Sequence, residues 1–261
     1  DCSSLTSIVI PDSVTSIGQE AFDHCSSLTS IVIPDSVTSI GSCAFADCSS
    51  LTSIVIPDGV TSIGERAFKG CKSLTSIVIP DGVTSIGKSA FKDCESLTSM
   101  VIGNSVTSIG ESAFRDCSSL TSMVIGNSVT SIEDSAFYGC LSLTSMVVAE
   151  GNTVYDSREQ CNAIIHTATN TLIRGCQNTI IPDGVKGIGE KAFYNCKSLT
   201  SIVIPDSVTS IGEWAFSDCS SLTSITFNGT KAQWKGIKLG NAWKNDVPTK
   251  VIHCTDGEVK I

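Results

Sequence analysis

The sequence predicts an α/β solenoid, in which short coils stack on one another and pair through parallel strands. The first observation is a 23-residue period, because seven cysteines from Cys2 to Cys140 are spaced 23 apart and Cys196 and Cys219 resume the spacing. The second is the run LTSIVI, which is rich in β-branched residues and in most units ends at a proline. The third is that a single unit is too small to bury its own apolar residues, so neighbouring units must stack.

Each unit contains two strand-like stretches and one compact turn. In the LTSIVI strand, Ile31 and Ile33 point to one side, whereas Ser30 and Val32 point to the other. The PDS or PDG sequence that follows is typical of a turn. VTSI then predicts a second, shorter strand, and CAFADC predicts about one helical turn with Phe45 pointing inward.

Stacking places equivalent residues of successive units in columns that run through the core. One column is leucine and another is phenylalanine, and their members are Leu5, Leu28, Leu51, Leu74, Leu97, Leu120 and Leu143, and Phe22, Phe45, Phe68, Phe91, Phe114, Phe137, Phe193 and Phe216. Cysteine forms a third column. Its regular spacing favours reduced, buried thiols over a disulfide scaffold, the other interpretation of thirteen cysteines. We also expect Met100, Met123 and Met146, which replace an inward isoleucine, to lie in the core.

The pattern LxxIxIPxxVxxIGxxAFxxC resembles the BspA-like leucine-rich repeats, a 23-residue, cysteine-bearing subclass found in bacterial surface proteins. The match covers residues 2–148 and 182–226. This resemblance implies a right-handed β/α superhelix whose parallel sheet, formed by the LTSIVI strands, lies on the concave side. It also implies short convex strands from VTSI and helical turns around AF. For function, it implies adhesion to host extracellular proteins or to other cells.

The repeat divides the chain into four segments. Leucine-rich units fill residues 1–148, an irregular repeat with a hairpin insertion fills residues 149–181, and regular units return in residues 182–226. Residues 227–261 differ in composition and are predicted to cap the last coil. The first two residues match a junction between units, so we expect an upstream part of the chain to be missing.

The irregular segment and the cap each carry a structural prediction. NAII and TLIR flank HTATN, which predicts a β-hairpin with Ile164 opposite Ile173. This register places Cys161 opposite Cys176, and a disulfide between them is one interpretation, the other being that both are reduced. In the cap, the residues expected to cover the last coil are Trp234, Ile237, Leu239 and Trp243.

Composition and charge exclude several classes of protein. Hydrophobic residues make up 41% of the chain and charged residues 16%, a balance that excludes a disordered protein. The formal net charge of −9 argues against nucleic-acid and anionic-membrane partners, since both require a basic patch. No apolar run approaches the ~18 residues of a membrane span.

The residues that carry chemistry in enzymes form no recognisable motif. His24, His166 and His253 lie in three different structural settings, and other units place Asp, Gly or Asn at the position of His24. His253 with Cys254 and Asp256 is too small a set of ligands for a metal centre. The aspartates that follow proline are interpreted as turn residues and not as calcium ligands. We therefore predict no catalytic, metal or cofactor site.

The outward side of the concave strands is the predicted binding surface, because its residues barely change from unit to unit. A uniform face without charged or aromatic anchors suits an extended or repetitive ligand better than a tightly held small molecule. The sequence therefore predicts a non-enzymatic, extracellular or cell-surface module that binds a protein or cell-surface ligand. The alternative is a structural spacer that self-associates end to end. The candidate ligand-binding residues are Ser30, Val32, Ser53, Val55, Ser76, Val78, Ser99 and Val101.

Overall fold

A computed structural model describes residues 2–261, which divide into two compact units. Unit 1 ends at Ser142 and unit 2 is Leu143–Ile261. Both units are built from stacked coils, and the strands of successive coils pair in parallel sheets.

Unit 1 contains two kinds of parallel ladder. The strands are β1 (Ser16–Ile17), β2 (Ser39–Ile40), β3 (Ser62–Ile63), β4 (Ser76–Ile79), β5 (Ser85–Ile86), β6 (Ser99–Ile102), β7 (Ser108–Ile109), β8 (Ser122–Ile125) and β9 (Ser131–Ile132). The short-strand sheet, formed by the last two residues of VTSI, has the order β1-β2-β3-β5-β7-β9. The SIVI sheet contains β4, β6 and β8, in which equivalent residues of successive coils pair, such as Ser76 with Ser99. In the earlier coils the SIVI stretch forms isolated bridges, such as the one between Val9 and Val32.

The predicted columns form the core of unit 1. The phenylalanine rings from Phe22 to Phe137 stack on one another, with neighbouring centroids 5.2 to 5.8 Å apart. Met100 and Met123 are buried, as predicted. The first described coil is less well covered, and Ile8 is 40% exposed because no described coil lies before it.

The segment around AF is a series of tight turns and not the predicted helical turn. Ala21 N–H donates to Gly18 O, a bond that spans three residues. Glu20 has a φ of 56°, in the left-handed region that an α-helix excludes. Phe22 N–H donates to Ala44 O on the next coil at 2.8 Å. The turns therefore form a third ladder between coils, and the helical part of the predicted α/β fold is not confirmed.

Unit 2 repeats this arrangement with two modifications. Its strands are β10 (Ser145–Val148), β11 (Tyr155–Asp156), β12 (Ala163–His166), β13 (Thr171–Gly175), β14 (Gly187–Ile188), β15 (Ser201–Ile204), β16 (Ser210–Ile211), β17 (Ser224–Phe227), β18 (Lys238–Leu239), β19 (Val251–Cys254) and β20 (Gly257–Lys260). Its sheets have the orders β11-β12-β13-β14-β16-β18 and β15-β17-β19-β20. Its described helical elements are one 3₁₀ turn, Arg158–Gln160, and one α-helix, α1 (Lys231–Lys235).

The predicted hairpin is confirmed, because β12 and β13 pair in antiparallel fashion and β13 then pairs in parallel with β14. Its register differs from the prediction. Ile164 lies opposite Arg174 and not opposite Ile173, while Ile165 lies opposite Leu172. The cause is an irregularity between Ile164 and Ile165, since a β-bulge leaves one residue of a strand without a partner.

The C-terminal segment is a further, longer coil and not only a cap. In β18, Lys238 pairs with Ser210, which lies 28 residues earlier, whereas the regular units pair at 23 residues. Strand β19 pairs in parallel with β17, so this segment contributes to both sheets. The additional length includes α1, which begins after Thr230, where a reciprocal capping box with Gln233 satisfies backbone groups at the helix start.

Three of the four predicted covering residues are buried. Trp234 and Trp243 lie against each other, with ring centroids 6.0 Å apart, and Ile237 is also buried. Leu239 is 44% exposed, contrary to the prediction. Its partner in the ladder, Ile211, is buried beneath it, whereas no described coil lies beyond Leu239 to cover it.

Candidate functional site

The candidate site is the outer side of the SIVI strands, where buried and exposed residues alternate. In β4, Ser76 and Val78 are exposed while Ile77 and Ile79 are buried, as the alternation predicts. Val32 is 79% exposed and its equivalents in later coils also face outward. We call this row the valine stripe of unit 1, and its members are Val9, Val32, Val55, Val78, Val101 and Val124.

The predicted binding residues lie where the sequence places them relative to the strands. Each of the eight belongs to the outer side of an SIVI stretch, and the serines Ser30, Ser53, Ser76 and Ser99 form an exposed row beside the valines. Exposure falls along the stripe from 89% at Val9 to 48% at Val101. Whether these residues contact a ligand stays a prediction.

Sequence reasoning missed a member of the equivalent row in unit 2. Ile180 is 72% exposed, although the irregular coil that contains it lacks the LTSIVI pattern. The available signal was its distance from proline, because Ile180 precedes Pro182 by two positions just as Val32 precedes Pro34. In the following coils of unit 2 the same row contains Val203, then Thr226 and His253.

A threonine ladder borders the valine stripe and holds its own side chains in fixed positions. Thr75 Oγ1 donates to Thr52 O at 3.3 Å, and Thr98 Oγ1 donates to Thr75 O at 3.1 Å. The same bond recurs between Thr121 and Thr98. Since these hydroxyl protons are used within the solenoid, the candidate surface offers a partner mainly aliphatic groups and serine hydroxyls.

The polar residues of the turn after the SIVI strand also bond between coils. Asp81 Oδ1 accepts a hydrogen bond from Asn104 N–H at 2.6 Å, and Asn104 Oδ1 accepts one from Asn127 N–H at 3.3 Å. Asp and Asn can both accept such a bond, so one contact explains why either residue occupies this position.

The cysteine column forms a second ladder, inside the core. Cys71 Sγ donates to Phe45 O at 3.2 Å, and Cys94 Sγ donates to Phe68 O at 3.3 Å. Burial raises the pKa of the Cys48 thiol to about 12 and also raises that of Cys71 well above its usual value. Thiols in such an environment are poor nucleophiles, because the thiolate is the reactive form.

The two cysteines of the irregular segment are buried and are free thiols in the structure. Cys161 Sγ donates to Ala163 O at 3.7 Å, and Cys176 Sγ donates to Asn162 O at 3.3 Å. A disulfide between Cys161 and Cys176 stays a prediction.

One group of metal-ligating side chains escaped the sequence analysis, because Asp47 lies on the coil after Asp23 and His24. His24 Nδ1 is 2.9 Å from Asp23 Oδ1, and His24 Nε2 is 3.8 Å from Asp47 Oδ2. Their ligand atoms lie within 4.8 Å of one another, close enough to hold a metal ion. The group is open to solvent and Lys69 Nζ lies 3.9 Å from Asp47, so we interpret it as a surface charge cluster.

The other two histidines also contact polar side chains. His166 Nδ1 lies 3.0 Å from Thr169 Oγ1, and His253 Nδ1 lies 3.2 Å from Glu258 Oε1.

The α-helix of residues 231–235 is too short to cross a membrane, and no other helix in residues 2–261 is long and apolar enough to do so.

Solved structures of bacterial leucine-rich repeat proteins are similar to this chain. A leucine-rich cell surface protein from Faecalibacterium prausnitzii is 27% identical with a TM-score of 0.62, and the alignment covers 90% of each chain. A leucine-rich repeat protein from Bacteroides ovatus is 30% identical with a TM-score of 0.58, over 97% of this chain and 76% of the other. The two similarities extend over almost the entire solenoid.

The pneumococcal vaccine antigen PcpA shares the fold, with a TM-score of 0.71 at 23% identity. The alignment covers 84% of this chain but only 60% of PcpA.

No curated protein sequence matches this chain. The model of the BspA type leucine-rich repeat region matches residues 1–57, 38–162 and 171–236, in six copies. Because these ranges include most of the sequence and follow the observed coils, the chain belongs to the family of BspA type leucine-rich repeat proteins.

Proposed function

We propose that this chain is a non-enzymatic protein-binding module of a bacterial cell surface and that it contacts its partner through the valine stripe. The observation that carries this proposal is the row of aliphatic side chains exposed on the SIVI sheet, from Val9 to Val101. Contiguous apolar surface on a folded protein is typical of an interaction site. The similarity to a cell surface protein supports an extracellular location.

The chemistry of the stripe favours a protein partner with an extended apolar ridge. Burying the side chain of one exposed valine stabilises a complex by about 1.5 kcal/mol, before the costs of association. Successive coils repeat the same groups at ~4.8 Å, so the affinity is expected to grow with the number of coils that the partner covers. The family resemblance implies that such a partner is a host extracellular protein or a protein on another cell.

The proposal is tested by pull-down of extracellular-matrix proteins and of intact cells. A variant with Val55→Lys and Val78→Lys places two charges in the centre of the stripe, where they would have to be desolvated on binding. The control is Thr61→Lys with Thr84→Lys, two exposed positions beside the short-strand sheet. We expect binding by the natural chain and the control and loss of binding by the stripe variant. Equal binding by both variants, or none by the natural chain, would contradict the proposal.

Self-association is the second candidate function. The observation that favours it is that the coils bond to one another through repeated backbone contacts, such as Thr52 N–H to Thr29 O at 3.2 Å. One coil therefore presents the groups that another coil accepts, which is how solenoids grow. Light scattering at rising protein concentration separates the two functions. A constant monomer mass would eliminate self-association, whereas a mass that rises with concentration would support it.

A further inference from the structure

The charge of this protein is divided unequally along the chain. Residues 1–227 contain 11 Lys and Arg against 23 Asp and Glu, a net charge of −12. Residues 228–261, which we call the basic coil, contain six lysines against three carboxylates, a net charge of +3. The total of −9 therefore conceals a cationic C-terminal coil. The six lysines are Lys231, Lys235, Lys238, Lys244, Lys250 and Lys260.

The lysines of the basic coil also differ in their partners from the cations elsewhere. In residues 2–227, eight of the 11 Lys and Arg form ion pairs, for example Lys72 with Glu95. Within the described residues, none of the six lysines of the basic coil has a carboxylate within ion-pair distance. Two nearby carboxylates are engaged elsewhere, because Asp256 Oδ1 accepts Lys231 N–H and Glu258 contacts His253.

The fold places four of these lysines on or beside the β19–β20 hairpin. Lys231 and Lys235 lie four residues apart on α1 and therefore share one face of the helix. Lys231 Nζ lies near Gly257, at the turn end of the β19–β20 hairpin. Lys260 pairs with Val251 at the open end, next to Lys250. The two ends of the hairpin are separated by roughly 10 Å of strand.

We propose that the basic coil binds a linear anionic polysaccharide. A narrow chain can follow Lys231, Lys250 and Lys260 along the hairpin, and at physiological salt acidic groups more than ~8 Å away are screened from it. A planar anionic membrane covers a wider area and would also lie over the adjacent coil, residues 205–227, which has three carboxylates and no Lys or Arg. Single-stranded nucleic acid usually stacks its bases on exposed aromatic rings, but Trp234 and Trp243 are buried. This partner is additional to the protein ligand proposed for the valine stripe.

Binding of the whole chain to heparin and to polygalacturonate, which carry sulfate and carboxylate groups, tests the proposal. We expect retention of both glycans at about 50 mM salt and an affinity that falls steadily as salt is added. Lys231→Gln, Lys235→Gln, Lys250→Gln and Lys260→Gln together should weaken binding about tenfold or more. The matched control makes the same change to Gln at four ion-paired lysines of the acidic coils, Lys72, Lys88, Lys92 and Lys191. It should change the affinity less than about twofold.

A footprint on the natural protein makes the test independent of variant folding. Bound heparin should protect the lysines of the basic coil from acetylation and leave Lys72 and Lys88 as reactive as before. The proposal is overturned if neither glycan binds at about 50 mM salt or if protection falls on the acidic coils. It is also overturned if phosphatidylserine vesicles or oligo(dT) bind as tightly as the glycans.

Discussion

Lys88 Nζ lies 2.7 Å from Glu111 Oε2, which belongs to the next coil, 23 residues further along the chain. Comparable contacts join other neighbouring coils on the same turn face, including Lys72 with Glu95. Arg115 also lies over the ring of Tyr138, at 4.7 Å from its centroid. The residues that differ between otherwise similar coils therefore contact each other, and we expect these contacts to favour the correct pairing of neighbouring coils.

Reversing one of these charges should lower the free energy of unfolding slightly, and reversing its partner as well should restore it. Lys88→Glu places a second carboxylate beside Glu111, and we expect the free energy of unfolding to fall by up to about 1 kcal/mol. The double variant Lys88→Glu, Glu111→Lys restores the attraction with its direction reversed. Urea unfolding of the single and double variants measures the coupling. A double variant no more stable than the less stable single variant would show that this ion pair has no role in coil pairing.

The phenylalanine column should be most sensitive in its interior. Phe91 stacks between Phe68 and Phe114, with centroids 5.2 and 5.3 Å away. Phe91→Ala should therefore reduce the free energy of unfolding by about 3–5 kcal/mol. Phe22→Ala is the matched control, because Phe22 is partly exposed and its stacking partner is Phe45. Urea denaturation should give a clearly smaller loss for Phe22→Ala, and equal losses would contradict an additive stack.

The core could be predicted from the sequence because the 23-residue period alone places equivalent residues in columns. Leu28 and Phe45, for example, needed only a repeated apolar position to be assigned to the core, and both are fully buried. The conformation of the turns could not be predicted in this way. Cys43, Ser89 and Trp214 all have positive φ, although their residue types give no indication of it. The backbone bonds to neighbouring coils fix this conformation, and such bonds leave no trace in residue identity.

The repeat pattern also failed to predict that the last coil continues the turn ladder. Trp214 N–H donates to Asn241 O at 3.2 Å and Phe216 N–H donates to Trp243 O at 2.7 Å, so the turn ladder continues through residues that do not match the repeat.

The sequence placed Val32 and Val78 of the candidate site correctly on the outer side of their strands, because alternation in a strand is a property of sequence. Ile180 was missed because its coil is shorter before the proline.

Gly70 should contribute to stability, because its turn packs closely against Asp47 of the preceding coil. Gly70 has a φ of 71°, and a Cβ atom there would collide with the carboxylate of Asp47. We expect Gly70→Ala to reduce the free energy of unfolding by about 1–2 kcal/mol, through the left-handed backbone and the collision together. Gly18→Ala is the control, because no neighbouring atom lies within 4 Å of the added Cβ.

Combining Gly70→Ala with Asp47→Ala separates the two causes. The double variant removes the collision but keeps the unfavourable φ, so it should recover part of the loss and not all of it. Thermal unfolding of the four proteins measures the difference. Complete recovery would show that backbone conformation costs nothing at this position, and no recovery would show that the aspartate side chain moves away freely.

Thiol reactivity should separate the buried ladder from the exposed end of the cysteine column. Alkylation requires the thiolate, and burial raises the pKa of Cys48 and of Cys219 to about 12. These two thiols are therefore almost fully protonated at pH 8, whereas Cys2 is exposed. We expect iodoacetamide to modify Cys2 first and to spare Cys48 and Cys219 until urea unfolds the chain. Peptide mass spectrometry identifies the modified residues.

Raising the pH provides a second test of the same ladder. Because the folded-state pKa of these thiols lies above the value in the unfolded chain, the protonated form is the one that folding favours, and its contribution is complete below the unfolded pKa. That contribution is lost as the pH rises from about 9 toward 12, so stability should decline in this range more steeply than in a variant with Cys48→Ala and Cys219→Ala. Rapid modification of Cys48 in the folded protein at pH 8 would refute the burial of the ladder. Counting thiols in urea without reductant also tests the disulfide between Cys161 and Cys176, because thirteen free thiols would exclude it and this disulfide would leave eleven.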